Sequence, residues 1–173
     1  QFYEWGWGQS FHFANRMKEE SFYESIRRHE YYLAGRLDVS EGGKLLDCGC
    51  GIGGPYRNIS RFTQCNVTGI TLNQYQVDRG NEINKSMGLL GQCQSVQGNF
   101  MKLPFRENEF DGAYAIEATC HAPRRQDVFA EIMRVMKPGA TFVCYEWCLT
   151  DKYDPKNAEH RRVKKMIEEG DGL

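Results

Sequence analysis

The feature of this sequence that most constrains its fold is an apolar strand that runs directly into a glycine-rich turn. Residues 45–54 read Leu-Leu-Asp-Cys-Gly-Cys-Gly-Ile-Gly-Gly, so four of the last six positions are glycine. Glycine allows positive φ angles and lets a ligand approach the main chain closely. A strand followed by such a turn and a helix is typical of sheets that bind nucleotide-type cofactors. We therefore expect a cofactor site at this turn, the alternative being a tight turn without a ligand.

The acidic residue Asp47 distinguishes between two cofactor classes that the glycine spacing allows. Gly49, Gly51 and Gly54 satisfy the G-x-G-x-x-G spacing of dinucleotide enzymes. A carboxylate just before this turn would repel the pyrophosphate of NAD. It would attract S-adenosylmethionine, which carries an ammonium and a sulfonium, while glycine amides meet the carboxylate of that ligand. We expect S-adenosylmethionine as the cofactor, held here by Asp47, Gly49, Cys50, Gly51 and Gly53.

The composition is that of one globular domain without a polyanionic partner. A chain of 173 residues with 40% hydrophobic content can bury a core. The net charge of -1 gives no strong field, so nucleic acid is not expected as a partner. The seven cysteines form no C-x-x-C pair and have no matching histidine spacing, so we expect no metal site and reduced thiols in a cytosol-facing compartment.

Helical and strand spacings alternate along the chain. An amphipathic lead-in helix is predicted at 21–37, and further helices at 55–62, 74–85, 124–135 and 155–169. Strands are predicted at 44–48, 66–71, 93–97, 110–116 and 141–146. Strands that alternate with helices predict an α/β fold, a doubly wound, Rossmann-like parallel sheet covered on both faces.

The predicted last strand would leave an apolar edge on this sheet. Its neighbourhood carries Phe142, Val143, Tyr145 and Trp147, and folded proteins normally cover or pair such an edge. We therefore expect that residues beyond 173 complete the sheet. Ahead of this strand, the tripeptide 137–139, Lys-Pro-Gly, predicts a turn.

Polar residues follow the second and third predicted strands. Enzymes of this architecture usually place an acid after the second strand to bind the ribose hydroxyls, but here Thr71, Asn73 and Gln76 stand in that region. We expect these three residues to share the ribose contact, although Asn73 is equally suited to cap the next helix. After the third strand, Asn99 and Phe100 are expected to frame the adenine.

Acidic residues follow the fourth and fifth predicted strands. Glu117 and Glu146 lie at the sheet edge where ligands bind in such folds, and His121 follows shortly after Glu117. They are candidate bases, with Glu117 also a candidate cofactor contact. Such acids can instead be solvated or cap a helix.

The first thirteen residues are dense in aromatic side chains. Six of them are aromatic, without clean helical or strand periodicity. Rings separated by glycines can wall a large apolar ligand and stabilise a cation by up to ~2 kcal/mol each when dry. The alternative is an arm that packs on the sheet. We expect residues 1–20 to be a substrate-facing arm and residues 21–173 the cofactor-binding domain.

Taken together, these motifs resemble the sterol 24-C-methyltransferases, which are class I methyltransferases. The most specific are Tyr-Glu-Trp-Gly-Trp-Gly at 3–8 and Ile-Glu-Ala-Thr-Cys-His-Ala-Pro at 116–123. Trp5 departs from the family, in which tyrosine is commoner at this position. The stretch at 71–76 is also similar to cyclopropane fatty-acid synthases, which likewise methylate an alkene.

The resemblance implies methyl transfer from S-adenosylmethionine to C24 of a sterol side-chain alkene. Such a site must exclude water, stabilise a carbocation and hold a base. The implied ring faces are those of Tyr3, Trp5 and Trp7. The implied candidate bases are Glu4, His12, Glu117, His121 and Glu146. The family also implies peripheral membrane association on the cytoplasmic face of the endoplasmic reticulum.

Two other readings are compatible with the residues. The same cofactor could serve an enzyme that methylates nitrogen or oxygen of a small metabolite, which needs no aromatic wall. Alternatively, residues 1–173 could bind cofactor or a partner without turnover, because their sheet is incomplete. We expect this chain alone to methylate sterol poorly or not at all.

Overall fold

The computed structural model describes residues 2–171, with the side chains of residues 4–170, and these form one parallel sheet flanked by helices. The strands are β1 (Lys44–Cys48), β2 (Asn66–Thr71), β3 (Cys93–Gln97), β4 (Phe110–Ile116) and β5 (Met136–Tyr145). Their order is β3-β2-β1-β4-β5, and all neighbouring pairs are parallel. The predicted α/β, doubly wound sheet is confirmed.

Helices cover both faces of this sheet. They are α1 (Phe2–Trp7), α2 (Phe22–Ala34), α3 (Gly54–Thr63), α4 (Gln74–Ser86), α5 (Arg125–Val135) and α6 (Ala158–Asp171). Successive side chains of β1 point to opposite faces, so Leu45 belongs to the core beneath α2 and α3, whereas Leu46 belongs to the core beneath α5. The central strand is therefore buried on both sides, as its continuous apolar run requires.

Three local features differ from the sequence-based expectations. The aromatic N-terminal segment begins with a helix, α1, and a 3-10 helix spans Thr119–His121. The predicted turn at 137–139 lies inside β5, at a shift in register, because Phe110 pairs with Met136 and Gly112 with Thr141. Gly139 has a φ of +81° there, a left-handed conformation that glycine adopts without strain.

The parallel sheet brings the predicted site segments to one edge. Cys48, Thr71, Ile116 and Tyr145 are the last residues of their strands, and the carboxyl ends of parallel strands meet at the same edge. The segment 8–13, which follows α1, also reaches this edge: the N–H of Gly54 donates to the carbonyl of Gln9 over 3.1 Å.

We predict that Gly53→Ala destabilises the protein more than Gly42→Ala. Both glycines are left-handed, with φ of +85° and +78°, so each alanine pays a similar backbone cost of about 1 to 2 kcal/mol. A Cβ on Gly53 would lie 2.1 Å from the Cζ of Tyr56, which is buried, whereas Gly42 has open space. Overpacking should cost Gly53→Ala a further 1 to 3 kcal/mol or so of unfolding free energy. Urea denaturation measures both; equal losses would contradict this packing.

Candidate active site

The turn after β1 has a backbone that only glycine accommodates easily. Gly49, Gly51 and Gly53 have φ of +98°, +52° and +85°. A Cβ on Gly49 would lie 2.3 Å from the Cβ of Ala118, and one on Gly51 would lie 3.4 Å from the ring of Phe11. The turn leads into the N-terminus of α3, whose positive dipole end favours an anionic group; its first N–H, on Gly54, already donates to Gln9, and Pro55 has none. This cradle fits a ligand that presents a carboxylate.

Cys50 occupies the same turn but directs its thiol inward. The side chain is buried, and Sγ lies 3.9 Å from the hydroxyl of Ser95. Its N–H donates to the carbonyl of Ile70, and its own carbonyl accepts from the N–H of Gly53. The thiol therefore belongs to the core, and contact of Cys50 with a ligand is limited to its main chain.

Asp47 lies inside the protein. Only 2% of the residue is exposed, and its carboxylate accepts a hydrogen bond from the hydroxyl of Tyr114 over 3.1 Å. Burial raises the pKa of Asp47 to about 7, against the opposing effect of the Tyr114 hydrogen bond; the nearby Glu30 charge raises this pKa further and His12 lowers it. The charge expected to attract a cofactor thus acts from beneath the turn rather than from an open surface.

The predicted ribose contacts form a connected group between β2 and α4. The hydroxyl of Thr71 donates to Oε1 of Gln76 over 2.6 Å. The side chain of Asn73 accepts from the N–H of Tyr75 over 3.0 Å, so Asn73 caps α4. The capping alternative is thereby confirmed, and its role towards a ribose stays a prediction.

The predicted adenine contacts lie beside this group. The N–H of Gly98 donates to the carbonyl of Thr71, which brings the turn after β3 next to the end of β2. Within that turn the side chain of Asn99 accepts from the N–H of Met101 over 2.8 Å, and Phe100 packs on the core beneath α5. These side chains thus have structural partners already, and adenine binding by them stays a prediction.

Glu117 joins the arm to the end of β4. Its φ of +48° is a left-handed conformation that is uncommon outside glycine. Its Oε1 accepts a hydrogen bond from the N–H of Phe13 over 3.0 Å. Strained residues of this kind are frequent at functional sites, and here the strain directs a carboxylate to the segment that crosses the sheet edge.

Glu146 supports the 3-10 helix. Its Oε2 accepts from the hydroxyl of Thr119 over 2.6 Å and from the N–H of Cys120 over 2.8 Å, and its Oε1 accepts from the N–H of Trp147. Burial alone would raise the pKa of Glu146, but these bonds outweigh it and hold the pKa below its usual value. The geometry suits a positioning group better than a base. His121 is exposed at the end of the 3-10 helix.

The two tryptophans of the N-terminal segment differ in exposure. Trp5 is 88% exposed, whereas Trp7 is half-buried and meets the ring of Phe13 edge-on at 4.8 Å. Two residues apart on a helix point in nearly opposite directions, so α1 cannot turn both tryptophans towards the sheet. The exposed position of Trp5 on α1 does not favour its role as a cation-stabilising contact, and that role stays a prediction. Tyr3 lies in α1, and its side chain lies outside the described residues.

Glu4 anchors α1 rather than serving as a free base. Its carboxylate accepts from Nε and Nη2 of Arg79 on α4, over 3.1 and 2.6 Å. The Arg79 hydrogen bond lowers the pKa of Glu4. A two-bond pair with a guanidinium leaves little basicity, so the candidate-base role is not favoured by this geometry.

A cleft of about 410 Å3 runs along the sheet edge beneath the arm. It brings together four predicted site residues: Trp7, Gln76, Glu117 and His121. His12 also contributes to its wall, although the side chain is buried. The wall includes further residues that were not predicted as site residues: Phe11, Phe13, Cys120, Trp147 and Gly170.

A second cavity of about 440 Å3 adjoins the cleft and contains Glu146. Both cavities share Phe13, Glu117 and Trp147, and the rings of Phe13 and Trp147 meet edge-on at 5.5 Å. The sequence held a signal for both residues as site residues. Phe13 belongs to the aromatic segment 1–13, and Trp147 directly follows Glu146 at the end of a predicted strand.

Within residues 2–171 no group of three or more histidines, cysteines or acids is arranged to hold a metal ion. In the same part of the chain, each helix is too short or too polar to cross a membrane.

We predict that Asp47→Asn stabilises the ligand-free protein at pH 8. Since burial raises the pKa of Asp47 from 3.8 to about 7, the folded state holds this proton more tightly than the unfolded state does. The stability contributed by Asp47 is thus fully present below pH 3.8 and is lost as the pH rises through 7. The asparagine keeps an oxygen for Tyr114 and avoids the buried charge, a gain on the order of 2 to 4 kcal/mol at pH 8.

Urea denaturation of both proteins between pH 4 and pH 8 measures this difference. The advantage of Asp47→Asn should grow with pH. A constant difference across the series would contradict a raised pKa.

Comparison with known proteins identifies the family. Residues 46–144 match the family described as a methyltransferase domain. Cycloartenol-C-24-methyltransferase of Arabidopsis thaliana is 57% identical over 99% of this chain and 51% of its own length. Sterol 24-C-methyltransferase of Saccharomyces cerevisiae is 54% identical over 99% of this chain and 45% of its own length. The chain thus spans about half the length of the curated relatives it matches.

Solved structures share the fold. A Galdieria sulphuraria protein provisionally named a sarcosine dimethylglycine methyltransferase gives a TM-score of 0.87 at 25% identity, over 99% of this chain and 66% of that one. Geranyl diphosphate C-methyltransferase of Streptomyces coelicolor, in complex with S-adenosyl-L-homocysteine, gives 0.81 at 21% identity, over 95% of this chain and 66% of that one. With residues 46–144 matching its model, this chain belongs to the methyltransferase domain family.

Proposed function

We propose that this chain is the donor-binding part of a sterol 24-C-methyltransferase, which transfers a methyl group from S-adenosylmethionine to C24 of a sterol side-chain alkene. The observation that carries the proposal is the cleft in which the aromatic arm faces Glu117. Phe11 packs against Gly51 of the glycine turn and also lines this cleft. The two relatives named above, at 54% and 57% identity, support the same acceptor.

The glycine turn and the ends of β2 and β3 are the proposed donor site. Gly49 and Gly51 are partly exposed, and their main chain is the proposed contact of the donor carboxylate, whereas buried Gly53 shapes the turn. Asp47 is proposed to supply negative charge beneath the ammonium of the donor. When bound, S-adenosylmethionine supplies a methyl group activated by a sulfonium. The proposed ribose and adenine contacts are Thr71, Asn73, Gln76, Asn99 and Phe100.

The arm is the proposed acceptor-facing wall. An alkene has no proton to lose before it attacks the methyl carbon, so the protein must align the reactants and exclude water. Trp7, Phe13 and Trp147 line the cleft, and ring faces stabilise positive charge. Glu117 faces both cavities and is the proposed acceptor of the proton that the substrate then loses, with His121 nearby on the cleft wall.

The proposed division of the chain follows from this arrangement. Residues 1–20 form the substrate-facing arm, and residues 21–173 form the donor-binding domain. A sterol dissolves in the bilayer rather than in water, so we also propose peripheral association with the cytoplasmic face of the endoplasmic reticulum.

We predict that the chain binds S-adenosylmethionine in preference to NAD, and that Asp47→Asn weakens this binding by about 1 to 3 kcal/mol through loss of a charge-assisted interaction. Isothermal titration calorimetry measures both affinities. The expected loss of affinity is opposite in direction to the stability gain predicted above, which separates a binding effect from misfolding. Preferential binding of NAD would refute the donor assignment.

We predict that Trp7→Leu and Trp147→Leu each lower sterol methylation at least tenfold, whereas Trp5→Leu changes it less than twofold. The first two rings line the cleft, and Trp5 is 88% exposed; tenfold corresponds to about 1.4 kcal/mol of transition-state stabilisation. The assay uses a chimera whose remaining half comes from the Arabidopsis thaliana relative. Full activity of both cleft variants on an amine or phenol, without activity on sterols, would favour the small-molecule alternative.

A further inference from the structure

Glu30 is a buried carboxylate that neither the sequence motifs nor the proposed chemistry uses. It lies on α2 and is 0% exposed. Three donors converge on it: Ser10 Oγ at 2.7 Å and His12 Nε2 at 3.1 Å reach Oε1, and Asn58 Nδ2 at 2.6 Å reaches Oε2. A buried carboxylate is tolerated only when its oxygens are satisfied in this way.

The chemistry of these partners indicates a charged pair. Nδ1 of His12 lies 3.0 Å from the carbonyl of Phe13, while its Nε2 faces Glu30, so both ring nitrogens meet an acceptor. Burial alone would lower the pKa of His12, but the hydrogen bonds to Glu30 and Phe13 outweigh it and raise the pKa. An imidazolium that donates on both sides matches a carboxylate that accepts from every partner.

Two of the three donors belong to the arm, at the point where it crosses the glycine turn. Ser10 and His12 flank Phe11, whose ring packs against Gly51. On one side, Gln9 is tied to the N–H of Gly54; on the other, the N–H of Phe13 is tied to Glu117. A role confined to packing α2 on α3 would need only the bond to Asn58.

We propose that Glu30 is a positioning residue that fixes the arm over the glycine turn, so that donor affinity depends on this buried carboxylate. It makes no hydrogen bond to the proposed donor site and holds the arm through Ser10 and His12. Its charge also raises the pKa of Asp47, so loss of that charge alone would favour ionised Asp47 and would not by itself weaken donor binding. The proposal rests on the proposed function in one respect, the identity of the donor.

The test is Glu30→Gln, which preserves the size of the side chain. An amide has one oxygen and one NH2 group, so it cannot accept from all three donors as they now stand: Asn58 or Ser10 must turn round to accept, and the amide carries no charge to pair with the His12 imidazolium. We expect the N–H groups of Gly54 and Phe13 to exchange with deuterium at least tenfold faster, with exchange in β1 and β4 unchanged. We also expect the Kd for S-adenosylmethionine to rise at least tenfold in calorimetry.

Glu131→Gln is the matched control. Glu131 lies on α5, accepts from the N–H of Leu103 over 2.7 Å and pairs with Arg134, far from the arm in the contacts it makes. This variant should lower thermal stability without changing arm exchange or donor affinity. If it changes both as much as Glu30→Gln does, the effect is general destabilisation and the proposal fails.

Milder variants keep the test valid if Glu30→Gln does not fold. Ser10→Ala removes one donor from the arm, and Asn58→Ala removes the donor from α3. The proposal requires a several-fold higher Kd and faster arm exchange in Ser10→Ala, with a smaller effect on arm exchange in Asn58→Ala.

Two results overturn the proposal: unchanged arm exchange in the Glu30 and Ser10 variants, or faster exchange with an unchanged Kd. Arm exchange in the ligand-free chain does not depend on the donor. If the unmodified chain fails to bind S-adenosylmethionine while its arm amides remain protected through Glu30, the donor assignment fails and the anchoring role stands.

Discussion

The left-handed glycine turn after β1 is the constraint on which the rest of the structure depends. A Cβ at Gly49 would meet Ala118, one at Gly53 would meet the Tyr56 ring, and one at Gly54 would lie 2.2 Å from the carbonyl oxygen of Gln9. The loop after β4, helix α3 and the arm therefore approach the turn from three directions, each closer than any side chain would permit. The cleft exists because these three elements converge there.

The two buried carboxylates beside this turn, Glu30 and Asp47, differ in the number of hydrogen bonds that they accept within the protein. Glu30 accepts three hydrogen bonds and faces His12, so its charge is balanced within the protein. Asp47 accepts one, from Tyr114, and burial raises its pKa to about 7. An under-satisfied buried acid weakens the ligand-free fold, and a cationic ligand is the partner that would offset this cost.

The sequence predicted the elements whose patterns are set by burial and missed those set by particular contacts. β1 to β4 have the predicted bounds. Mostly apolar runs mark β1 and β4, and apolar residues that alternate with polar ones mark β2 and β3. Helix α1 has only six residues, one of them Gly6, so its intrinsic helix stability is low. The ion pair of Glu4 with Arg79 and the contact of Trp7 with Phe13 stabilise it. Glu30 belongs to no recognisable sequence motif, and its donors come from the folded arm and from α3.

The arm couples the proposed donor site to the proposed acceptor site, because one short segment contacts both. Phe11 packs on the turn that is proposed to hold the donor, while Phe13 meets Trp147 on the side proposed for the acceptor. His12 lies between them in the chain and faces Glu30. A displacement that uncovers Gly51 must therefore also move the Phe13 ring, which admits water to both reactants at once. Donor binding beneath a docked arm would thus fix the acceptor wall before the alkene binds. The alkene attacks the methyl group without prior loss of a proton, so the reaction depends on how this wall aligns the two reactants.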